Sequence, residues 1–329
     1  MTVASLPQDR DAIRVSEGQQ PPDSVRAAYV HVPFCRHRCG YCDFTLVAGR
    51  DDLVPRYLAA LERELATLGG PWEIDTLFIG GGTPTHLPPA SLASLLTLLQ
   101  ERFQLSEQAE FSIEANPSGL SDEHLNILAA HGVNRVSLGV QSLSQQHLLT
   151  LERDHTPAEA LSVIDRVRGH IENVAVDLIF GVPEQSLNEW SQTLRQTIDR
   201  GVNHVSTYGL TIEKGTTFWS RREQGTLLPV DEELEREMYQ LAMELLPAAG
   251  FTHYELSNFA QPGRECRHNQ TYWRGDAYYG VGPGAASYLN GVRRLNHRSV
   301  FTWLKRVEEG ASPVADSETL SGEARAREG

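Results

Sequence analysis

Cysteine is scarce in this chain, with four residues in 329. Three of them fall within eight residues, and residues 1–25 have neither the apolar core of a secretory signal nor the Arg-rich, acid-poor character of a transit peptide. A disulfide framework is therefore disfavoured, residues 1–25 read as a disordered leader, and reduced thiols fit a cytoplasmic protein. No run approaches the roughly 18 uninterrupted apolar residues of a membrane span. Positive charge is also in short supply. Lys+Arg 29 against Asp+Glu 43 leave a formal charge of −14, which argues against a nucleic-acid binder, although a local basic groove remains open. At 36.5 kDa the chain is long enough for one large core and a smaller appendage.

The three clustered cysteines, Cys35, Cys39 and Cys42, read C-x3-C-x2-C directly after the apolar run Tyr29–Phe34. Structural zinc wants four ligands and would have to recruit Cys266, His31 or His37. A cubane iron-sulfur cluster held by three thiolates instead keeps one iron open for a ligand from substrate or cofactor. That open-site cluster is the favoured reading.

From residue 26 to about 210, β-rich runs alternate with helical patterns, as in βα units around a parallel sheet. Strands are expected at Ala27–Val32, Ile74–Ile79, Glu110–Glu114, Arg135–Val140, Val174–Phe180 and His204–Leu210. Helices are expected at Leu53–Leu68 and Leu92–Phe103. Thr156–Glu159 and Ser186–Glu189 read as capping boxes, and Gly169 and Gly201 as helix stops.

Chemistry in such a fold gathers at the C-terminal ends of strands. Those ends carry the three cysteines, then Gly80-Gly-Gly-Thr83, Glu114, Gln141, Asp177 and Tyr208-Gly209, which defines one shared cleft. The glycine run is either a simple turn or a place where backbone approaches a ligand closely. It matches neither G-x-G-x-x-G nor a P-loop, so a nucleotide phosphate is not the expected guest. Glu114 and Asp177 could be solvated caps or ion-pair members; facing a cleft, Glu114 reads as an acceptor for ribose hydroxyls.

These residues together resemble the radical S-adenosylmethionine (SAM) superfamily. Tyr29–Cys35, Gly139–Ser142, Arg153, Val176–Pro183 and Val205–Leu210 are similar to its coproporphyrinogen III oxidase-like branch, over residues 26 to about 300. The resemblance implies an α/β fold with a partial (β/α)6 barrel of parallel strands and a smaller C-terminal α/β region. It implies a [4Fe-4S] cluster on Cys35, Cys39 and Cys42, with SAM chelating the open iron. Tyr29, Gly81, Gly82, Thr83 and Glu114 match contacts of the first SAM, and Gln141, Arg153, Asp177 and Gly209 match positions around a second. Ala286, in Gly280–Ser287, aligns with a further SAM contact. The chemistry belongs largely to the cofactor, and no catalytic side chain is assigned.

Two departures separate branches within the resemblance. The oxidases carry a further cysteine where this chain has Phe44, which argues against coproporphyrinogen oxidase activity. His268-Asn-x-x-Tyr-Trp273 resembles the haem-binding signature of the haem chaperones in the HemW family, implying His268 as ligand to haem iron and Tyr272 and Trp273 against the porphyrin. Chaperone function is thus expected ahead of the oxidase, and ahead of another radical SAM enzyme of the branch, a methyltransferase or cyclopropanase. The implied partners are haem, apo-haemoproteins including those of the respiratory chain, and an electron donor for the cluster, with room for a homodimer. Cys266 is open between a buried thiol, a second haem ligand and a transient bond to substrate. No C-x-x-C-H is present, so covalent c-type attachment is not indicated. The expected organisation is a leader at 1–25, the partial barrel at 26–225, a region closing the barrel at 226–290, and at 291–329 the start of an incomplete C-terminal domain.

Overall fold

The computed structural model describes residues 25–320. Residues 1–24 and 321–329, which take in nearly all of the expected leader and the charged stretch after Gly322, lie outside the described residues. Val25, counted with that leader, is buried in the core.

Six parallel strands appear in the expected order: β1 (Ala27–Val32), β2 (Trp72–Gly81), β3 (Phe103–Ala115), β4 (Arg135–Gln141), β5 (Asn173–Phe180) and β6 (His204–Gly209). Each pairs with the next in sequence. The longest departure is β3, which begins seven residues ahead of the expected Glu110. Its first half pairs with Trp72–Ile74 across a register irregularity, and the polar, largely exposed Ser106–Gln108 hide it from hydrophobic patterning.

Between the strands run α1 (Val54–Thr67), α2 (Pro89–Arg102), α3 (Asp122–Ala130), the short α4 (Gln145–Thr150), α5 (Pro157–Arg168) and α6 (Leu187–Asp199). The amphipathic spacing of α1 buries Tyr57, Leu61 and Leu65 against the sheet, each worth about 1.5–3 kcal/mol of burial. Both capping boxes form: the Thr156 and Ser186 hydroxyls accept the N–H groups of Glu159 and Glu189, whose carboxylates take the N-cap N–H in return. Ser121 and His124 make a third, with an imidazole in the role of the carboxylate. Of the two glycine stops, Gly201 takes the left-handed conformation at φ +64, while Gly169 stays right-handed at φ −72.

Among the described residues the sheet has nine strands, with Thr252–His253 at one edge and Tyr279–Val281 at the other. After α7 (Thr217–Glu223) and α8 (Glu232–Ala248), Asn258–Ala260 pairs antiparallel with β6, and Tyr279–Val281 pairs parallel with β1 at the opposite edge. Among the described residues the two edges do not pair with each other, so the barrel is partial. The segment between those strands carries α9 (Arg267–Trp273). Beyond it, Ala286–Leu289, Val292–Asn296 and Val314–Thr319 form a three-stranded antiparallel sheet, and α10 (Val300–Glu308) packs on α1, with Trp303 against Tyr57 at 5.7 Å. No helix among the described residues is long and apolar enough to cross a membrane.

Candidate functional site

The cysteine loop leaves β1 and folds back on itself. Cys42 N–H bonds the Cys39 carbonyl at 3.0 Å, Gly49 N–H the Cys35 carbonyl at 3.2 Å, and Arg38 spans the loop to the carbonyls of Cys42, Phe44 and Leu46. Cys35 and Cys39 are buried and Cys42 is half-buried. Burial pushes the Cys35 thiol up to about 11 and raises that of Cys42, so a metal has to draw off the protons to gain thiolate ligands.

The donor set suits a cluster better than one ion. Zinc would need a fourth ligand beside the three sulfurs, all within about 2.0–2.3 Å of one centre. The candidate fourth ligands are also engaged. His31 bonds the Thr45 carbonyl and Tyr29 Oη, His37 Nε2 lies 2.6 Å from the Glu152 carbonyl, and Cys266 sits beside Glu110.

The glycine run is built for close approach. A Cβ on Gly82 would lie 2.7 Å from the Phe34 carbonyl and 3.1 Å from Cys35 Sγ, while Gly81 holds φ +112 against the His31 ring. Gly81 N–H bonds Glu114 Oε2 at 2.9 Å. Burial, reinforced by the nearby Asp177, pushes Glu114 up to about 8. Asp177 is raised by burial against bonds from Ser206 and Ser137.

Polar bonds then connect the cluster loop to the strand ends. Thr83 Oγ1 lies 3.4 Å from Cys35 Sγ and accepts from Asn116 Nδ2 at 2.9 Å; Arg153 Nη2 donates to Asn116 Oδ1 at 2.7 Å and to the Gly139 carbonyl at 2.8 Å; Arg153 Nη1 reaches Cys39 Sγ at 3.6 Å. Gln141 joins them at φ +65, its Nε2 close over Gly139. The structure thus brings together the cysteines, Gly81, Gly82, Thr83, Glu114, Gln141, Arg153 and Asp177. Gly209, at the end of β6, is approached instead by Glu235 of α8. Ala286 presses on Gly280, the register neighbour of Tyr29.

The second half of the expected site lies beneath. Glu110 accepts the N–H groups of Arg267 and His268 at the start of α9, at 2.8 and 3.2 Å. His268 is buried, with Nδ1 2.9 Å from Thr76 Oγ1 and Nε2 2.8 Å from Tyr272 Oη. Burial lowers its pKa to about 3. Its ring stacks on Phe78 at 5.3 Å and on Tyr29 at 6.4 Å. Tyr272 and Trp273 are exposed. Cys266 is buried, and burial pushes its thiol up to about 12.

Sequence reasoning missed Asn116, Ser137, Ser206, Glu110, Thr76 and Phe78. The signal was present as polar residues recurring every second position within apolar strands, as Glu110-Phe-Ser-Ile-Glu114 and His204-Val-Ser206 do. That period marks one strand face turned to a polar interior.

A family model described as the radical SAM superfamily matches residues 29–197. The chain is 37% identical over 310 residues to the haem chaperone HemW of Bacillus subtilis, covering 92% of this chain and 82% of that one. It is 38% identical over 311 residues to HemW of Mycobacterium tuberculosis, covering 92% and 80%. The chain belongs to the radical SAM superfamily, in its HemW family. Membership implies a [4Fe-4S] cluster and SAM, and the cysteine loop and glycine run fit both. A mitochondrial radical SAM domain-containing protein 1 from mouse is 39% identical over 281 residues, covering 83% and 64%. Among solved structures, coproporphyrinogen III oxidase (HemN) of Escherichia coli superposes with a TM-score of 0.83 at 24% identity, covering 93% of this chain and 74% of that one; it establishes the shared fold.

Proposed function

We propose that the protein is a cytoplasmic haem chaperone that takes haem on α9 and delivers it to apo-haemoproteins. The observation that carries this reading is His268, the histidine of the HNxxYW signature. Its burial holds the imidazole neutral, which is the form that ligates iron. With the proton on Nδ1 toward Thr76, the Nε2 lone pair points at the Tyr272 hydroxyl. Iron would take that lone pair once Tyr272 turns away, and Thr76 would keep the ring oriented, as outer hydrogen bonds do for ligating histidines. Exposed Trp273 offers an aromatic edge for the porphyrin.

Cys35, Cys39 and Cys42 would hold the cluster. When bound, cluster and SAM supply one-electron chemistry at the sulfonium. Gly81 and Gly82 give the guest room, and Glu114, protonated below about 8, can donate as well as accept toward ribose hydroxyls. Gln141, Arg153 and Asp177 form the wall a second SAM would meet, with Arg153 Nε a buried donor still without a partner. Haem recipients of the respiratory chain, an electron donor and a homodimer belong to the same reading.

Titration of the full chain with haemin is expected to give a Soret band that His268→Ala loses; equal binding by the variant removes the ligand assignment. Cys39→Ser is expected to abolish the cluster absorbance with the fold retained. Given coproporphyrinogen III under anaerobic reducing conditions, the protein is expected to form no protoporphyrinogen, in keeping with Phe44 at the position of the oxidases' additional cysteine.

A further inference from the structure

We propose that Asn116 is a positioning residue for the cluster, holding the Arg153 guanidinium against the Cys39 thiolate so that the reduction potential is set from the end of β3 as well as by the cysteine loop. The proposal rests on the reading of Cys35, Cys39 and Cys42 as cluster ligands.

Asn116 stands two residues beyond Glu114 and uses both ends of its amide. Its Nδ2 donates to Thr83 Oγ1 at 2.9 Å, and its Oδ1 accepts from Arg153 Nη2 at 2.7 Å. Because the Thr83 oxygen accepts from the amide, its own proton is free for Cys35 Sγ at 3.4 Å. On the other side, Arg153 Nη1 donates to Cys39 Sγ at 3.6 Å. One side chain thus aligns donors to two of the three sulfurs. Arg153 Nη2 also donates to the Gly139 carbonyl at 2.8 Å, so the Asn116 oxygen is one of the two acceptors that aim the fork. A Cβ added to Gly139 would lie 3.0 Å from Asn116 Oδ1 and from Gln141 Nε2, so this glycine leaves the two amides room.

Hydrogen bonds to cluster sulfurs and nearby positive charge both favour the more electron-rich oxidation state. In the one-electron reduction, an external donor such as dithionite loses an electron and the cluster gains one; no bond is made or broken. A guanidinium on Cys39 and a hydroxyl on Cys35 both stabilise the product. Removing the amide leaves Nη2 on the Gly139 carbonyl alone, which loosens the aim of Nη1 at Cys39, and leaves the Thr83 proton unaligned. The cluster then becomes harder to reduce. An alternative assignment of Arg153 solely to a second SAM predicts no dependence of the SAM-free potential on Asn116.

The test is an EPR-monitored redox titration of the anaerobically reconstituted full chain without SAM. Asn116→Ala is expected to lower the reduced-to-oxidised ratio at a fixed potential by about tenfold, or about 59 mV for a one-electron couple. Arg153→Gln, which removes the charge, is expected to shift it in the same direction, and the double variant by less than the sum, because the two act through one contact. An unchanged potential in Asn116→Ala overturns the proposal. Should that variant fail to hold a cluster, an unchanged potential in Arg153→Gln overturns it equally, and a lowered one supports it. Iron and sulfide analysis of the unsubstituted protein distinguishes the underlying reading, which fails if four of each are not found.

Discussion

Tyr272 closes over His268 from one helical turn away, its hydroxyl 2.8 Å from Nε2. The contact covers the one nitrogen that haem iron would use. Tyr272→Phe keeps the ring and removes the hydroxyl, so haem association is expected to quicken severalfold over the unsubstituted protein in stopped-flow measurements of the Soret region. An unchanged rate would show that the hydroxyl is no gate.

The same imidazole makes stability depend on acidity. Its folded pKa, about 3, lies below the ordinary 6.5 of an unfolded chain. Between those values the unfolded state binds a proton that the native state refuses, so native stability falls as pH drops from 6.5 toward 3. Denaturation of His268→Gln, which carries no such proton, is expected to show a shallower acid limb, by up to about 1.4 kcal/mol per pH unit. Identical slopes for the two proteins would mean that the buried ring titrates normally.

Glu64 of α1 is a third point of test. Its buried carboxylate accepts the N–H of Gly282 at 2.9 Å, Asn296 Nδ2 at 2.6 Å and Trp303 Nε1 at 3.1 Å, tying the barrel to the C-terminal strands and α10. Burial pushes it up to about 7. Glu64→Ala strands three donors and is expected to cost about 3–5 kcal/mol in chemical denaturation. Glu64→Gln, which still accepts, should cost markedly less, and equal losses would contradict the bonding described.

Gly82→Ala should separate cluster assembly from folding. The added methyl meets a backbone carbonyl and Cys35 Sγ, so iron content after reconstitution is expected to fall by at least half while the far-ultraviolet circular dichroism is kept. Full iron loading would show that the loop yields without consequence.

The six strands were legible because β-branched, apolar runs bounded by helices with strong spacing leave little ambiguity, and Ala27–Val32 is found with the bounds expected for it. The cysteine loop was legible from spacing alone. Less visible was the first half of β3, where the polar Ser106–Gln108 stay largely exposed. Asn116 escaped notice because an asparagine before a proline reads locally as a turn former. Its role depends on Thr83 and Arg153, far away in sequence and adjacent only after folding. The burial of His268 was equally hidden, since nothing in His-Asn-Gln-Thr-Tyr-Trp says that the helix lies under a barrel.

The backbone from Asn258 to Val281 pairs with β6 at its start and with β1 at its end, with α9 between. A planar guest beside Trp273 would therefore meet a helix whose two flanking strands are both built into the same sheet.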